Sequence, residues 1–259
     1  MTLYRPGDPA AVSSVKEWSA DVFYGRFTQR LIAALSTPTA EGELYEVDMQ
    51  LRPSGTKGPV AVSFPAFEDY YSGEAETWEL LALTRARVVW ASSPAFAADA
   101  AGAVEAALRR PRERARTAAD VRDMRQLLEQ ERPPKGAWDL KLSPGGLVDI
   151  EFAAQFLQLA YAAEGGPLRQ NTAEALAAFE GRAPAEPLAA LRKAWTLQQN
   201  LTQLLKVALG DQGDPEEEPK AFRALLARAG GVRDFRTLRT RLDTARQAAR
   251  AAYLTIVGG

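Results

Sequence analysis

The sequence predicts a mainly α protein of the α+β class, a few strands near the N-terminus followed by a long succession of helices. Three observations predict it. Period-two alternation of apolar residues is confined to Glu43–Arg52 and its surroundings, helical spacing runs from Ser19 and again after Pro65, and the later helical stretches are joined by short Gly/Pro-rich segments.

Composition bounds the chemistry. The chain has 259 residues, 46% of them hydrophobic and 25% charged, which suits a globular protein with one large or two ordinary domains. With 32 Lys+Arg against 33 Asp+Glu there is no global basic field for nucleic acid or membrane surfaces. Cysteine and histidine are both absent, so the chain alone supplies no disulfide, thiol nucleophile, Cys/His zinc site or imidazole base. Carboxylate, lysine, arginine and hydroxyl chemistry remain. No apolar run approaches the roughly 18 residues of a membrane span, and a cytoplasmic location is expected.

Taken in order, Thr2–Tyr4 is a short β-like piece cut off by the Pro6-Gly7-Asp8-Pro9 turn. From Ser19 the spacing Phe23, Phe27, Leu31, Leu35 predicts a helix that stops before Pro38. Glu43–Arg52 then places Tyr45, Val47, Met49 and Leu51 on one face and Glu46, Asp48, Gln50 and Arg52 on the other, as a half-buried strand would. Ser54–Pro59 reads as its turn and Val60–Phe64 as its hairpin partner. Three helices are predicted next: Phe64–Gly73, Glu74–Trp90 and Pro94–Arg109, although the β-branched Val88-Val89-Trp90 suits the second poorly. The arginines at 109, 110, 112, 114 and 116 surround Pro111 in what reads as a solvated, mixed-charge linker. That divides the chain into domains 1–110 and 111–259.

The second part predicts a bundle of five or more helices. Candidates are Thr117–Glu131, Val148–Ala163, Thr172–Phe179, Pro187–Leu209, Pro219–Ala229 and Asp234–Val257, with an apolar stripe at Leu188, Leu191, Trp195, Leu201 and Leu205. Trp138–Phe152 departs from the pattern. It combines a short extended piece, a Pro-Gly-Gly turn and a helix opened by Asp149 and Glu151, whose charges favour the helix N-terminus. Trp138 and Trp195 are expected in the core.

The stretches "FTQRLIAALSTPTAEGELYEVDMQLRPSGTKGPVAVS", "WELLALTRARVV" and "WDLKLSPGGLVDIEFAAQFLQLAY" resemble the C-terminal half of the glutamine synthetase adenylyltransferases, the glutamate–ammonia-ligase adenylyltransferase family. Three long motifs in the same order, covering nearly the whole chain, make the resemblance specific. It implies a nucleotidyltransferase domain of the DNA polymerase β type followed by a helical bundle. It also implies ATP and Mg2+ in the intact enzyme, and AMP transfer to a tyrosine hydroxyl of glutamine synthetase by the C-terminal copy, which these motifs resemble more than the AMP-removing one.

Such domains hold metal with an Asp-x-Asp pair after a Gly-Ser turn and a third carboxylate on a later strand. By resemblance Asp48 is that third carboxylate, the catalytic and metal residue of an incomplete site. Residues 1–40 contain no Asp-x-Asp pair. The expectation is therefore a truncated nucleotidyltransferase remnant that begins just after the pair, binds no Mg2+ or ATP appreciably, and is inactive alone. Two Mg2+ ions on a triphosphate need several hard oxygen ligands, and one Asp is too few.

Arg52, Ser54 and Lys57 at the mouth of the turn suit phosphate or protein-substrate contact, and read without the resemblance they are ordinary turn residues. Arg85 and Arg87 are further candidates for nucleotide contact. Two positions apart on a predicted helix, they point to different faces, and a salt-bridged surface helix is the alternative. Lys141, Gly145, Gly146, Asp149 and Glu151 read as a junction motif between bundle and catalytic domain. Expected partners are glutamine synthetase, the PII signalling protein, and further copies of the chain through an exposed sheet edge. The alternative function is a noncatalytic module docking glutamine synthetase or PII.

Overall fold

The computed structural model describes residues 1–5, 12–14, 16–43, 46–209 and 213–258. Mainly α is the class observed. Among these residues stand ten α-helices and two short two-stranded ladders. None of the helices described is long and apolar enough to cross a membrane. The chain divides into two compact units, Met1–Ala82 with Val88–Ala107, and Leu83–Arg87 with Leu108–Gly259.

The first unit runs β1 (Thr2–Tyr4), α1 (Ala20–Leu35), β2 (Pro38–Thr39), β3 (Gly42–Glu43), β4 (Ala61–Ser63), α2 (Phe64–Gly73), α3 (Thr77–Leu83) and most of α4 (Pro94–Arg109). β1 pairs with β4 in parallel, Thr2 opposite Ala61 and Tyr4 opposite Ser63. Ala61 and Val62 are buried, as parallel strands require, and α1 and α2 pack against β4. Phe64, Phe67 and Tyr71 of α2 join Tyr4 in the buried set. The spacing predicted for α1 is helical as expected. Its stripe nevertheless faces outward, with Phe23, Phe27 and Leu31 each more than 40% exposed.

Several sequence expectations are overturned. Of the strand expected over Glu43–Arg52, Glu43 lies in β3, which pairs with β2, Leu44 and Tyr45 lie outside the described residues, and residues 46–52 form no strand. Ala61–Ser63 takes β1 as its neighbour instead of closing a hairpin, so Glu46–Gln50 has no ladder. Its backbone turns locally: the Gln50 amide donates to Asp48 Oδ1 at 2.8 Å and the Arg52 amide to Gln50 O at 3.0 Å, bonds that compete with a strand. The helix expected over Glu74–Trp90 spans only Thr77–Leu83, and Val89, in the irregular stretch that follows, is left 84% exposed. Trp138–Leu142 is a series of turns, since the Asp139 carboxylate accepts from the amides of Lys141 and Leu142 at 3.1 and 2.9 Å.

The second unit holds α5 (Arg114–Glu131), α6 (Leu147–Ala162), α7 (Thr172–Ala178), α8 (Ala185–Leu209), α9 (Lys220–Ala229) and α10 (Phe235–Gly258). α10 packs on α5, α6, α8 and α9, so it is the axis of the bundle. α6 is apolar nearly all round and buried on most sides, which its central place demands. Leu140, Leu197, Leu201, Leu226, Leu238 and Leu242 form one core cluster, where Trp138 stacks on Phe235 with ring centroids 5.2 Å apart. Removing one such leucine side chain costs about 2–5 kcal/mol.

Of the arginines around Pro111, Arg110, Arg114 and Arg116 are exposed, as a solvated linker has them, whereas Arg109 and Arg112 are partly buried. Arg109 Nη1 donates to Ala162 O at 2.9 Å and Gly166 O at 3.2 Å, satisfying carbonyls at the α6 C-terminus. Arg114 lies 4.5 Å over the Tyr161 ring.

Candidate functional site

The loop from Glu46 to Gly58 carries four of the candidate residues. Asp48 is exposed, with one carboxylate oxygen held by the Gln50 amide. Ser54 adopts the left-handed conformation, φ 62° and ψ 16°, and stands exposed, as does Lys57 on the following 3-10 turn. Gly58 closes the loop so tightly that a Cβ there would lie 2.1 Å from Pro53 O. Asp48, Ser54 and Lys57 therefore share one exposed loop.

Arg52 turns the other way. It is 8% exposed, and its guanidinium donates to Met49 O, to Gly58 O at 3.1 Å and to Thr56 O at 3.3 Å. A planar fork with five donors suits three carbonyls converging from a tight loop. The structural use of Arg52 was readable only as the general need of a Pro/Gly-rich turn for donors.

Among the described residues, no group of three or more His, Cys, Asp or Glu side chains could hold a metal ion. Asp48, with its single free carboxylate edge, does not by itself fit a pair of Mg2+ ions.

The junction motif before α6 separates into a buried half and a more exposed one. Asp149 is fully buried. Its Oδ2 accepts from the Gly145 amide at 2.7 Å and from Arg250 Nη1 at 3.1 Å, and its Oδ1 accepts from Arg125 Nε. Arg125, 1% exposed, also donates to Leu142 O at 3.0 Å, and Glu129 lies within 3.3 Å of both arginines. Gln198 of α8 donates to Gly145 O at 2.9 Å. This turn needs both glycines. A Cβ on Gly145, φ 74°, would lie 1.9 Å from Arg246 O, and one on Gly146 would meet three carbonyl oxygens below 3.0 Å.

The other half is exposed Lys141 and partly buried Glu151, which exposed Arg85 from the segment after α3 joins. Arg85 Nη1 donates to Glu151 Oε1 at 3.2 Å, with the Glu151 side chain 22% exposed. Burial pushes the Glu151 carboxyl above its ordinary range, and the positive charges of Arg85 and Lys141 pull against it without cancelling the effect. Because α3 ends before them, Arg85 and Arg87 sit on irregular chain, and the helix-face argument for choosing between them does not apply. Arg87 is exposed.

Sequence reasoning missed Arg125, Arg250 and Gln198. The signal was faint: Arg125 lies one turn from Val121 and Glu129 on the inward face of α5, where an aliphatic residue is the simple choice.

Residues 1–103 match the family model for glutamate-ammonia ligase adenylyltransferase, and residues 118–254 match that for GlnD PII-uridylyltransferase. A bifunctional glutamine synthetase adenylyltransferase/adenylyl-removing enzyme of Caulobacter vibrioides is 68% identical over 261 residues, which takes in 100% of this chain and 26% of that protein. Enzymes of the same name from Brucella suis and Rhizobium meliloti are each 44% identical, over 91% of this chain and 24% of theirs. The chain thus spans about a quarter of the length of these relatives.

Proposed function

The chain belongs to the glutamine synthetase adenylyltransferase family, and from that premise we propose that it forms part of the unit that moves AMP from ATP to a tyrosine of glutamine synthetase. The observation that supports this reading is 68% identity over an alignment that takes in the whole chain, the Asp48 loop and the bundle included. In the transfer, the tyrosine oxygen attacks the α-phosphorus and pyrophosphate leaves. Asp48 is assigned to the acidic centre, and Ser54 and Lys57 on the same loop to the phosphates or the protein substrate.

The test is reconstitution. The chain, supplied in one polypeptide with a segment carrying the Gly-Ser turn and Asp-x-Asp pair, is expected to label glutamine synthetase from ATP and Mg2+. The 259-residue chain alone is expected to give no label. Asp48→Asn in the joined protein abolishes transfer. Labelling by the chain alone, or undiminished labelling by the Asp48→Asn protein, overturns the assignment.

A second reading is favoured by one observation. Residues 118–254 match the model of a PII-uridylyltransferase, so the bundle is of a kind found in an enzyme whose name refers to PII. On this reading the bundle is a docking module for PII or glutamine synthetase. Retention of either protein by the chain carrying Asp48→Asn supports it, and loss of retention on that substitution counts against it.

A further inference from the structure

The positive charge of the chain is concentrated in one stretch. Residues 220–250 hold nine Lys+Arg against Asp234 and Asp243, whereas the rest of the chain holds 23 Lys+Arg against 31 Asp+Glu. Part of that charge is engaged inside the second unit. Arg246 donates to Ala137 O at 2.7 Å and to Asp139 O at 3.1 Å, Arg250 reaches Asp149, and Arg241 donates to Gly231 O at 3.3 Å across the turn between α9 and α10. Arg233, Arg236 and Arg239 form an exposed row at the start of α10.

What this row accepts is visible at one end. The acidic loop before α9, Asp214 to Glu218, lays Glu216 on it: Arg239 Nη1 donates to Glu216 Oε2 at 3.2 Å, and Trp138 Nε1 donates to Glu216 Oε1 at 3.3 Å. One turn earlier in the chain lies a groove of about 470 Å³ lined by Arg233, Asp234, Arg236, Thr237 and Thr240. The Asp234 carboxylate accepts from the Thr237 amide at 2.8 Å, the Thr237 hydroxyl at 2.9 Å and Arg233 Nε at 3.0 Å. It therefore takes up the helix N-terminus itself, and what the groove offers a ligand is arginine side chains. The Arg233–Asp234 pair is exposed, 89% and 45% at the two side chains, and so open a pair is screened by water and readily exchanged.

We propose that this groove is a docking surface for an acidic segment of a partner protein, whose carboxylates take Arg233 and Arg236 as Glu216 takes Arg239. Two-point pairing between guanidinium and carboxylate gives such a contact its orientation. Nucleic acid fits the face less well. Phe222, Phe235 and Tyr253, the aromatic residues of α9 and α10, are half-buried or buried, so no stacking platform accompanies the arginines. Three guanidiniums are also a short track for a phosphate backbone, whose binders neutralise many phosphates at once. The inference depends on neither AMP transfer nor Asp48.

The experiment is fluorescence anisotropy of a labelled poly-glutamate peptide titrated with the whole chain, beside a poly-glutamine peptide and a short duplex DNA. Poly-glutamate is expected to bind about tenfold or more tightly than either other probe, and to weaken about tenfold or more between low and physiological ionic strength. Arg233→Glu with Arg236→Glu lowers that affinity about tenfold or more, and Arg233→Gln with Arg236→Gln lowers it less. Arg116→Glu with Lys193→Glu, an equal change of net charge at exposed positions of α5 and α8, leaves it within about twofold. Asp48→Asn leaves it unchanged. Absence of poly-glutamate binding, equal binding of poly-glutamine, or an equal loss in the Arg116→Glu, Lys193→Glu chain overturns the proposal. Tighter binding of the duplex assigns the face to nucleic acid and overturns it as well. So does self-association at low salt that Arg233→Glu with Arg236→Glu abolishes, since the occupant is then a second copy.

Discussion

The Gly145 amide donates to the carboxylate of Asp149 at 2.7 Å, so the residue that initiates the turn and the residue that opens α6 fix one another. The same carboxylate receives Arg250 from α10 and Arg125 from α5. One buried acid therefore ties three helices of the bundle to a single glycine turn.

Gly145→Ala is expected to destabilise the second unit by about 3 kcal/mol or more, since the residue has a left-handed φ and its new Cβ would overlap Arg246 O. Urea unfolding followed by helical ellipticity measures it. A loss under about 1 kcal/mol would mean that α10 shifts without cost.

Asp149→Ala leaves Arg125 and Arg250 without their acceptor, and breaking a buried pair in this way costs about 3–5 kcal/mol. The double change Asp149→Leu with Arg125→Met is expected to be less harmful than Asp149→Ala alone, because both buried charges go together. If the double change is the worse of the two, the network contributes by more than mutual compensation.

Arg52→Lys keeps the charge and loses the fork. Met49 O, Thr56 O and Gly58 O cannot all be served by one ammonium, and a cost of about 1–3 kcal/mol follows. Limited proteolysis is expected to cut within 49–58 faster than in the parent. Equal cleavage rates would show that the loop is held by its turns alone.

Alkaline stability reports on Tyr253, whose phenol is pushed up to about 12, chiefly by burial and next by the charge of Asp149. Its unfolded value is about 10. The folded state therefore keeps a proton that the unfolded state releases between these two pH values. The resulting stability is fully present below pH 10 and is lost as pH rises towards about 12. Tyr253→Phe should flatten the decline of the denaturation midpoint over that window, and an unchanged slope would assign the decline to other groups.

Phe23, Phe27 and Leu31 form an exposed apolar stripe on α1. Concentration-dependent association is expected by light scattering, and Phe27→Glu should suppress it. A monomer at all concentrations would show that the stripe is tolerated in water.

The helices were legible wherever apolar spacing was long. α4 matches its predicted bounds, and α6, α9 and α10 differ by a residue or so, because burial of one face fixes both sequence and structure. The strand at Glu43–Arg52 was misread for a reason of range: alternation announces a strand's two faces but says nothing of which neighbour supplies its ladder, and here β1 takes β4. Asp48, Ser54 and Lys57 could be grouped from the sequence because they adjoin along the chain, and they lie on one exposed loop. Arg125, Arg250 and Gln198 converge on one turn from three separate helices, and no local pattern encodes that meeting.

The axial place of α10 also bears on how the molecule is made. Arg122 donates to Val257 O across 135 positions, and Tyr253, Ile256 and Val257 fill the core between earlier helices. During synthesis, α5 through α9 emerge with their apolar faces lacking the element that closes them. The bundle can complete its core only after α10 has left the ribosome, so folding of this unit is late and long-range in contact order. Nascent chains stalled within α10 should be the species that chaperones hold.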